Sequence, residues 1–271
     1  MAHQTIIIES KAKLSFNDNY MIITKADSCE KVYLEYISCI IINTLEISVT
    51  AYLLNEFNKR KVNVIFCDEE HNPSIQMLSL YGSYDASHKL NEQIKWTEDL
   101  KNEVWLIILR AKIINQYYVL KKLGIVSIDL KKYTSNLKYM DQTNVEGTVA
   151  KIYFRYLFGK DFNRNSDNHI NSMLNYGYAI LLSFINREVI SNGYTTKIGL
   201  KHNNKMNWYN LSCDLMEPFR PFVDLIVFKY REKVFNKNIK ASLCEFLYIK
   251  VKYDGKEYEL RNIIEIYIKD I

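Results

Sequence analysis

The segment GLKHNNKMNWYNLSCDLMEPFRPFVD, Gly199 to Asp224, gathers His202, Asp214, Glu217, Arg220 and Asp224 around Pro218 and Pro221. Asp214 and Glu217 stand three residues apart, so a helix places both carboxylates on one face. Arg220 and Asp224 extend that polar stripe, and Leu215, Phe219, Phe222 and Leu225 fall on the apolar side. Pro218 removes a backbone donor and crowds the preceding turn. The helix is therefore expected to kink or restart there, freeing backbone groups near Glu217 for a ligand or water. His202 lies upstream in a loop able to carry its imidazole over that helix.

A divalent metal needs a third donor, and Glu146 in TNVEGTVAK is the best candidate. It falls in the first turn of an expected helix, beside Gly147, which would allow another backbone to approach. Two carboxylates and one imidazole suit Mg²⁺ or Mn²⁺, with open positions for water or phosphate oxygens. The same residues admit a plainer reading. Acids on a helix face are usually solvated, Glu217 and Arg220 could form a simple ion pair, and a single histidine is usually structural. His71 in DEEHNP reads as a turn residue; His3, His88 and His169 carry no argument. Tyr176 and Tyr178, flanking Gly177, read as helix packing rather than a platform for bases. No Walker loop, GxGxxG, HExxH or GxSxG occurs.

The elements that must position these residues change character along the chain. Up to about residue 80 the sequence reads as β: TIIIES, KLSF, YMIIT, KVYLEY, SCIIIN, VNVIFCDEE and IQMLSLYG, with one helix at VTAYLLNEFNKR. From about Asn91 the apolar period becomes helical. EQIKWTEDLKNEVWLIILRAKIINQYYVLKKLG reads as one long helix, with Trp105, Ile108, Leu109 and Lys112 on neighbouring turns. VEGTVAKIYFRYLFG and INSMLNYGYAILLSFINREVISNG are two more, ending at Gly159 and Asn192-Gly193. The Asp214–Asp224 stretch runs into a further helix, Asp254-Gly255 signals a two-residue hairpin, and a short helix closes the chain. The expected fold is α+β: a small β-rich domain over residues 1–84, then a larger helical domain over 85–271 with a C-terminal hairpin.

The 271 residues are 48% hydrophobic and 25% charged, with only 8 Gly and 3 Pro, a globular composition. No apolar run reaches the ~18 residues of a membrane span, and the N-terminus lacks the basic region of a signal peptide. Five cysteines without a CxxC pair fit reduced thiols in the cytoplasm. Residues 1–85 carry 7 Lys+Arg against 11 Asp+Glu, and the remainder 29 against 20. That asymmetry fits a C-terminal part that binds a polyanion; an evenly lysine-dotted surface would give the same count.

VIFCDEEHNP with LYGS, EVWLIILRAKIINQ, VEGTVAKIYF, NRNSDNHINSMLNYGYAILL and GLKH…DLMEPFRP occur in order over most of the chain. In these motifs the sequence resembles the CRISPR-associated spacer-acquisition integrase family, most closely its type II members. The resemblance implies that Glu146, His202 and Glu217 are catalytic metal ligands for Mg²⁺ or Mn²⁺, with Asp214 and Arg220 supporting them. It also implies a β-rich N-terminal domain used in dimerisation. It further implies a homodimer and a heterohexamer with a small ferredoxin-like partner. Double-stranded DNA, both captured fragment and repeat, is the expected substrate. An RNA-guided effector nuclease and a ring-forming accessory protein are further implied partners. Lys201, Arg164 and Arg155 are candidates to hold DNA phosphates. A nuclease acting on branched DNA, or a scaffold that binds DNA without cutting it, are the competing functions.

Overall fold

A computed structural model describes residues 4–80, 82–125 and 128–271; His3, and Tyr81 of the LYGS motif, lie outside the described residues. The chain divides into two compact units, Met1–Leu80 and Tyr81–Ile271.

The N-terminal unit contains eight described strands, β1 (Gln4–Ile8), β2 (Ala12–Asn17), β3 (Tyr20–Thr24), β4 (Cys29–Tyr33), β5 (Ile37–Ile42), β6 (Ile47–Val49), β7 (Asn63–Cys67) and β8 (Pro73–Met77), and the helix α1 (Ala51–Lys59). One sheet has the order β1-β5-β7-β8; β1, β5 and β7 run parallel and β8 antiparallel. Central β5 reads ISCIII and is buried throughout, as a parallel strand covered on both faces should be. The second sheet, β4-β3-β2-β6, begins as a meander. Its β2–β3 turn is Asp18-Asn19, both at positive φ (48° and 65°), the geometry that matches strand twist in a two-residue hairpin. Leu14, Met21 and Ile23 of this sheet meet Ile40, Ile42 and Val64 of the other and Leu53 and Phe57 of α1 in one apolar core. The short β6 had no readable pattern in the sequence.

The C-terminal unit comprises α2 (Ala86–Ile94), α3 (Glu98–Lys122), α4 (Val145–Phe158), α5 (His169–Ser191), α6 (Asn210–Leu215), α7 (Arg220–Tyr230) and α8 (Lys237–Leu243), then the hairpin β9 (Lys250–Tyr253) and β10 (Lys256–Glu259), and α9 (Leu260–Asp270). The hairpin turns at Asp254-Gly255, as expected. The long helix expected from Glu92 onward is two helices. The first ends at Ile94, and Thr97 caps the second, its side chain accepting from Leu100 N, with Glu98 and Asp99 in the first turn of α3. The chain does break at Pro218: α6 ends at Leu215, a 3₁₀ turn covers Glu217–Phe219, and α7 starts at Arg220. A Cβ at Gly177 would overlap Val223, so α5 and α7 approach closely only without one. Among the described residues no helix is long and apolar enough to cross a membrane.

Candidate active site

Glu146 stands in the first turn of α4, whose N-terminus is capped twice. Asn144, at φ 52°, accepts from Gly147 N, and the two carboxylate oxygens of Asp141 accept from Val145 N and Glu146 N, both at 2.9 Å. These acceptors take three of the donors a helix start leaves unpaired. The expected reason for Gly147 needs correction. Its missing Cβ makes room for the Asn144 cap, 2.5 Å away, not for another backbone.

Glu217 opens the 3₁₀ turn and is buried. One backbone group at the break is taken up by a side chain: Asn115 Nδ2 on α3 donates to Pro218 O at 2.8 Å. Between the two glutamates stands Lys112, from the apolar stripe of α3. Its Nζ lies 2.5 Å from Glu146 Oε1 and 2.5 Å from Glu217 Oε2. The second oxygen of Glu217 is 2.8 Å from Arg220 Nε, and the Arg220 guanidinium lies over the Tyr178 ring at 4.6 Å. Burial pushes the Glu217 carboxyl up, but Lys112 and Arg220 outweigh it and hold the group below its usual range. For Lys112 the balance is the mirror image. Burial would lower it, and Glu217 and Glu146 raise it instead.

His202 lies on the loop before α6. Its Nδ1 is 2.6 Å from Asp214 Oδ1, and the fully buried Asp214 also accepts from Leu200 N (2.7 Å), Lys201 N (3.1 Å) and His202 N (3.2 Å). One carboxylate thus fixes both the loop and the ring, which leaves Nε2 as the nitrogen for a ligand. The hydrogen bond that the ring donates to the Asp214 carboxylate is the main reason the imidazole is raised above its ordinary pKa. Trp105 of α3 meets the ring edge to face at 6.3 Å.

A cleft of about 260 Å³ is lined by Lys112, Glu146, Arg164, Glu217 and Arg220, with Tyr178 and Asp224 behind them. Arg164 is held by two neutral acceptors, Asn171 Oδ1 (2.7 Å) and Asn175 Oδ1 (2.8 Å), so its charge stays available to an anion. Asp224 was expected on the polar stripe; it is buried and accepts from the Tyr178 hydroxyl at 2.5 Å. Burial raises it to about 6. Lys201 directs its ammonium at Met140 O, 2.9 Å away, and Arg155 is exposed on the last turn of α4.

The structure therefore brings Glu146, Glu217, Arg220 and Arg164 to one cleft and pairs His202 with Asp214; His202 is not among the residues lining the cleft. Among the described residues no three of His, Cys, Asp and Glu form a group that could hold a metal. The donor types nonetheless suit a hard divalent cation, and a positive charge already sits between the two glutamates. Sequence reasoning missed Lys112, Asn115, Asp141 and the Tyr178–Asp224 pair. For Lys112 a signal existed: a lysine in register with Trp105, Ile108 and Leu109 on a buried stripe needs an acid partner.

The family model for CRISPR associated protein Cas1 matches residues 5–240. The CRISPR-associated endonuclease Cas1 of Neisseria meningitidis is 32% identical over 95% of this chain and 87% of its own length. A Francisella tularensis endonuclease of the same name is 25% identical over 96% and 92%. In fold, the chain is similar to a casposase bound to its integration product (TM-score 0.75, 20% identity, 98% of this chain and 88% of that one). It is also similar to a Cas1 protein from Thermotoga maritima (TM-score 0.74, 14% identity, 98% and 95%). A Cas6-RT-Cas1–Cas2 complex matches with a TM-score of 0.69 and 16% identity over 98% of this chain and 34% of that one.

Proposed function

The chain belongs to the Cas1 family, the endonuclease and integrase of CRISPR adaptation, and from that premise we propose that its helical unit joins the 3′-hydroxyl ends of captured double-stranded DNA to the CRISPR repeat by transesterification. The observation that carries this reading is the convergence of Glu146 and Glu217 on one positive charge, beside Arg164 and Arg220 in one cleft.

Glu146, His202 and Glu217 are the residues that would hold Mg²⁺ or Mn²⁺. What such an ion supplies is Lewis acidity, charge for the phosphate oxygens and easier ionisation of the attacking hydroxyl. Asp214 keeps His202 in one orientation with Nε2 outward. Asp141 and Asn144 keep the start of α4, and with it Glu146, in place. Arg164 and Arg220 bind phosphate oxygens and orient the diester; Arg220, stacked on Tyr178, also balances Glu217. No protein nucleophile is needed, because one diester bond replaces another. As partners we propose a second copy of the chain and a small ferredoxin-like protein in a heterohexamer, with an effector nuclease and a ring-forming accessory protein joining in adaptation. We place the protein in the cytoplasm, where DNA is accessible.

The test supplies the protein and its small partner with a labelled 3′-OH duplex and a supercoiled repeat target. Covalent joining that needs Mg²⁺ or Mn²⁺ is expected, and Glu217→Ala should abolish it while duplex affinity stays within about twofold. Cutting without joining would replace this reading by a nuclease on branched DNA. Duplex binding indifferent to a chelator, with neither joining nor cutting, would leave a DNA-binding scaffold.

A further inference from the structure

We propose that Lys112 is a resident counter-ion of the site, its ammonium lying between Glu146 and Glu217, the two carboxylates that would help hold a divalent cation, so that such a cation would enter only as the lysine leaves. The inference rests on the proposed ligand set and concerns what that set does in the absence of metal.

Three observations carry it. The ammonium bridges the two carboxylates at 2.5 Å each, although the glutamates come from segments 34 and 105 residues away in sequence. Lys112 and Glu217 are both buried. Two acids so close, one of them shielded from water, repel each other strongly unless a cation lies between them. The lysine supplies that cation from the rigid helix α3. A lysine is also well suited to withdraw, because its charge rides on a four-carbon flexible stem. The cleft wall it already lines leaves it beside Arg164 and Arg220, where a displaced ammonium would face incoming phosphate.

The lysine and a divalent ion cannot both sit between the same two carboxylates without severe repulsion. Metal affinity measured on the wild type is therefore a net quantity, metal gained less lysine displaced.

The experiment measures Mn²⁺ binding to the full chain by electron paramagnetic resonance, for wild type, Lys112→Met, Glu217→Gln and the double variant. Lys112→Met should bind Mn²⁺ more tightly, by about tenfold or more, since removing one like charge at this range shifts cation affinity by a log unit or greater. It should melt below wild type in EDTA, with Mn²⁺ restoring much of the difference. Affinity unchanged or weaker in Lys112→Met, with Glu217→Gln still weakening binding, overturns the counter-ion role and leaves the ligand set standing. Binding unaffected by Glu217→Gln in either background overturns both. Wild-type protein gives a second measurement should Lys112→Met not fold. Acylation of Lys112 by acetic anhydride, read by mass spectrometry, should be slow in EDTA and rise severalfold with Mn²⁺. No rise overturns the exchange.

Discussion

In the N-terminal unit an ionic network joins the buried Glu56 to Lys59, Arg60 and, through Arg60, an exposed Glu35, so it opens to water at one end. The core beside it is Leu14, Met21, Ile40 and Phe57, without a charged member. In the C-terminal unit Lys112, Asp214, Glu217 and Asp224 are themselves buried, and each is satisfied by partners from other helices or loops. Burying an ion costs several kcal/mol that its partners at best return, so a fold selected for stability alone would fill such positions with apolar side chains. The N-terminal unit has done so except at Glu56, whose network reaches solvent. The C-terminal unit keeps three of its buried charges, Lys112, Glu217 and Asp224, where a cleft opens, and that concentration is what sets the site apart from the scaffold.

The contrast breaks most sharply if acids of the two units prove interchangeable. Glu146→Gln should lower strand joining by about 10³-fold or more, the scale of losing a group that acts on transition-state charge. Glu56→Gln should leave joining per folded molecule unchanged, with both read from labelled duplex on sequencing gels. Leu14→Ala is the converse test. It removes a fully buried side chain of the apolar core and should cost about 2–5 kcal/mol in denaturant unfolding, with joining by the folded fraction intact.

The third prediction concerns Asp224. Its folded pKa is raised from 3.8 to about 6, so the stability it contributes is complete below pH 3.8 and is lost as pH rises through 6. Asp224→Asn cannot titrate. Relative to wild type it should gain stability between pH 4 and pH 7 by something on the order of 3 kcal/mol, measured as melting curves at matched ionic strength. A constant gap between the two proteins across that range would mean that Asp224 stays ionised in the folded chain. The smallest effect is expected at Arg155, exposed on α4. Arg155→Ala should reduce the slope of log affinity against log salt by about one and leave the rate at saturating DNA unchanged.

How much could be read in advance varied with how local the cause was. The Asp254-Gly255 hairpin, the helix ends at Gly159 and Gly193, and the break at Pro218 each depend on one or two residues, and each stands where the sequence put it. Thr97 was equally local but was read past. Its Thr-Glu-Asp start of α3 lies inside a run whose apolar spacing continues the helix, and periodicity overrode the cap. The site divides in the same way. That Glu217 and Arg220 pair follows from their spacing of three residues, whereas Asp214, expected on the same stripe, turns to His202 and its loop instead. That Glu146 reaches the same charge depends on a lysine in a third segment, and no local pattern encodes such a distance. His202 was legible as a candidate donor from its place upstream of Glu217, and the family resemblance adds to that reading; that Asp214 would orient its ring was not legible, because the two meet through a loop.

Helix α3 touches every arm of the site. Asn102 accepts from Met140 N just before the segment that bears Glu146, Trp105 meets His202, Lys112 meets both glutamates, and Asn115 holds the carbonyl of Pro218. These contacts span about 20 Å of one rod. A slide or roll of that rod would carry all the donors together, tuning the whole assembly in unison instead of loosening one arm. A glycine pair inserted at the exposed Ile107 would cut the rod between its two ends and let histidine and glutamates drift independently.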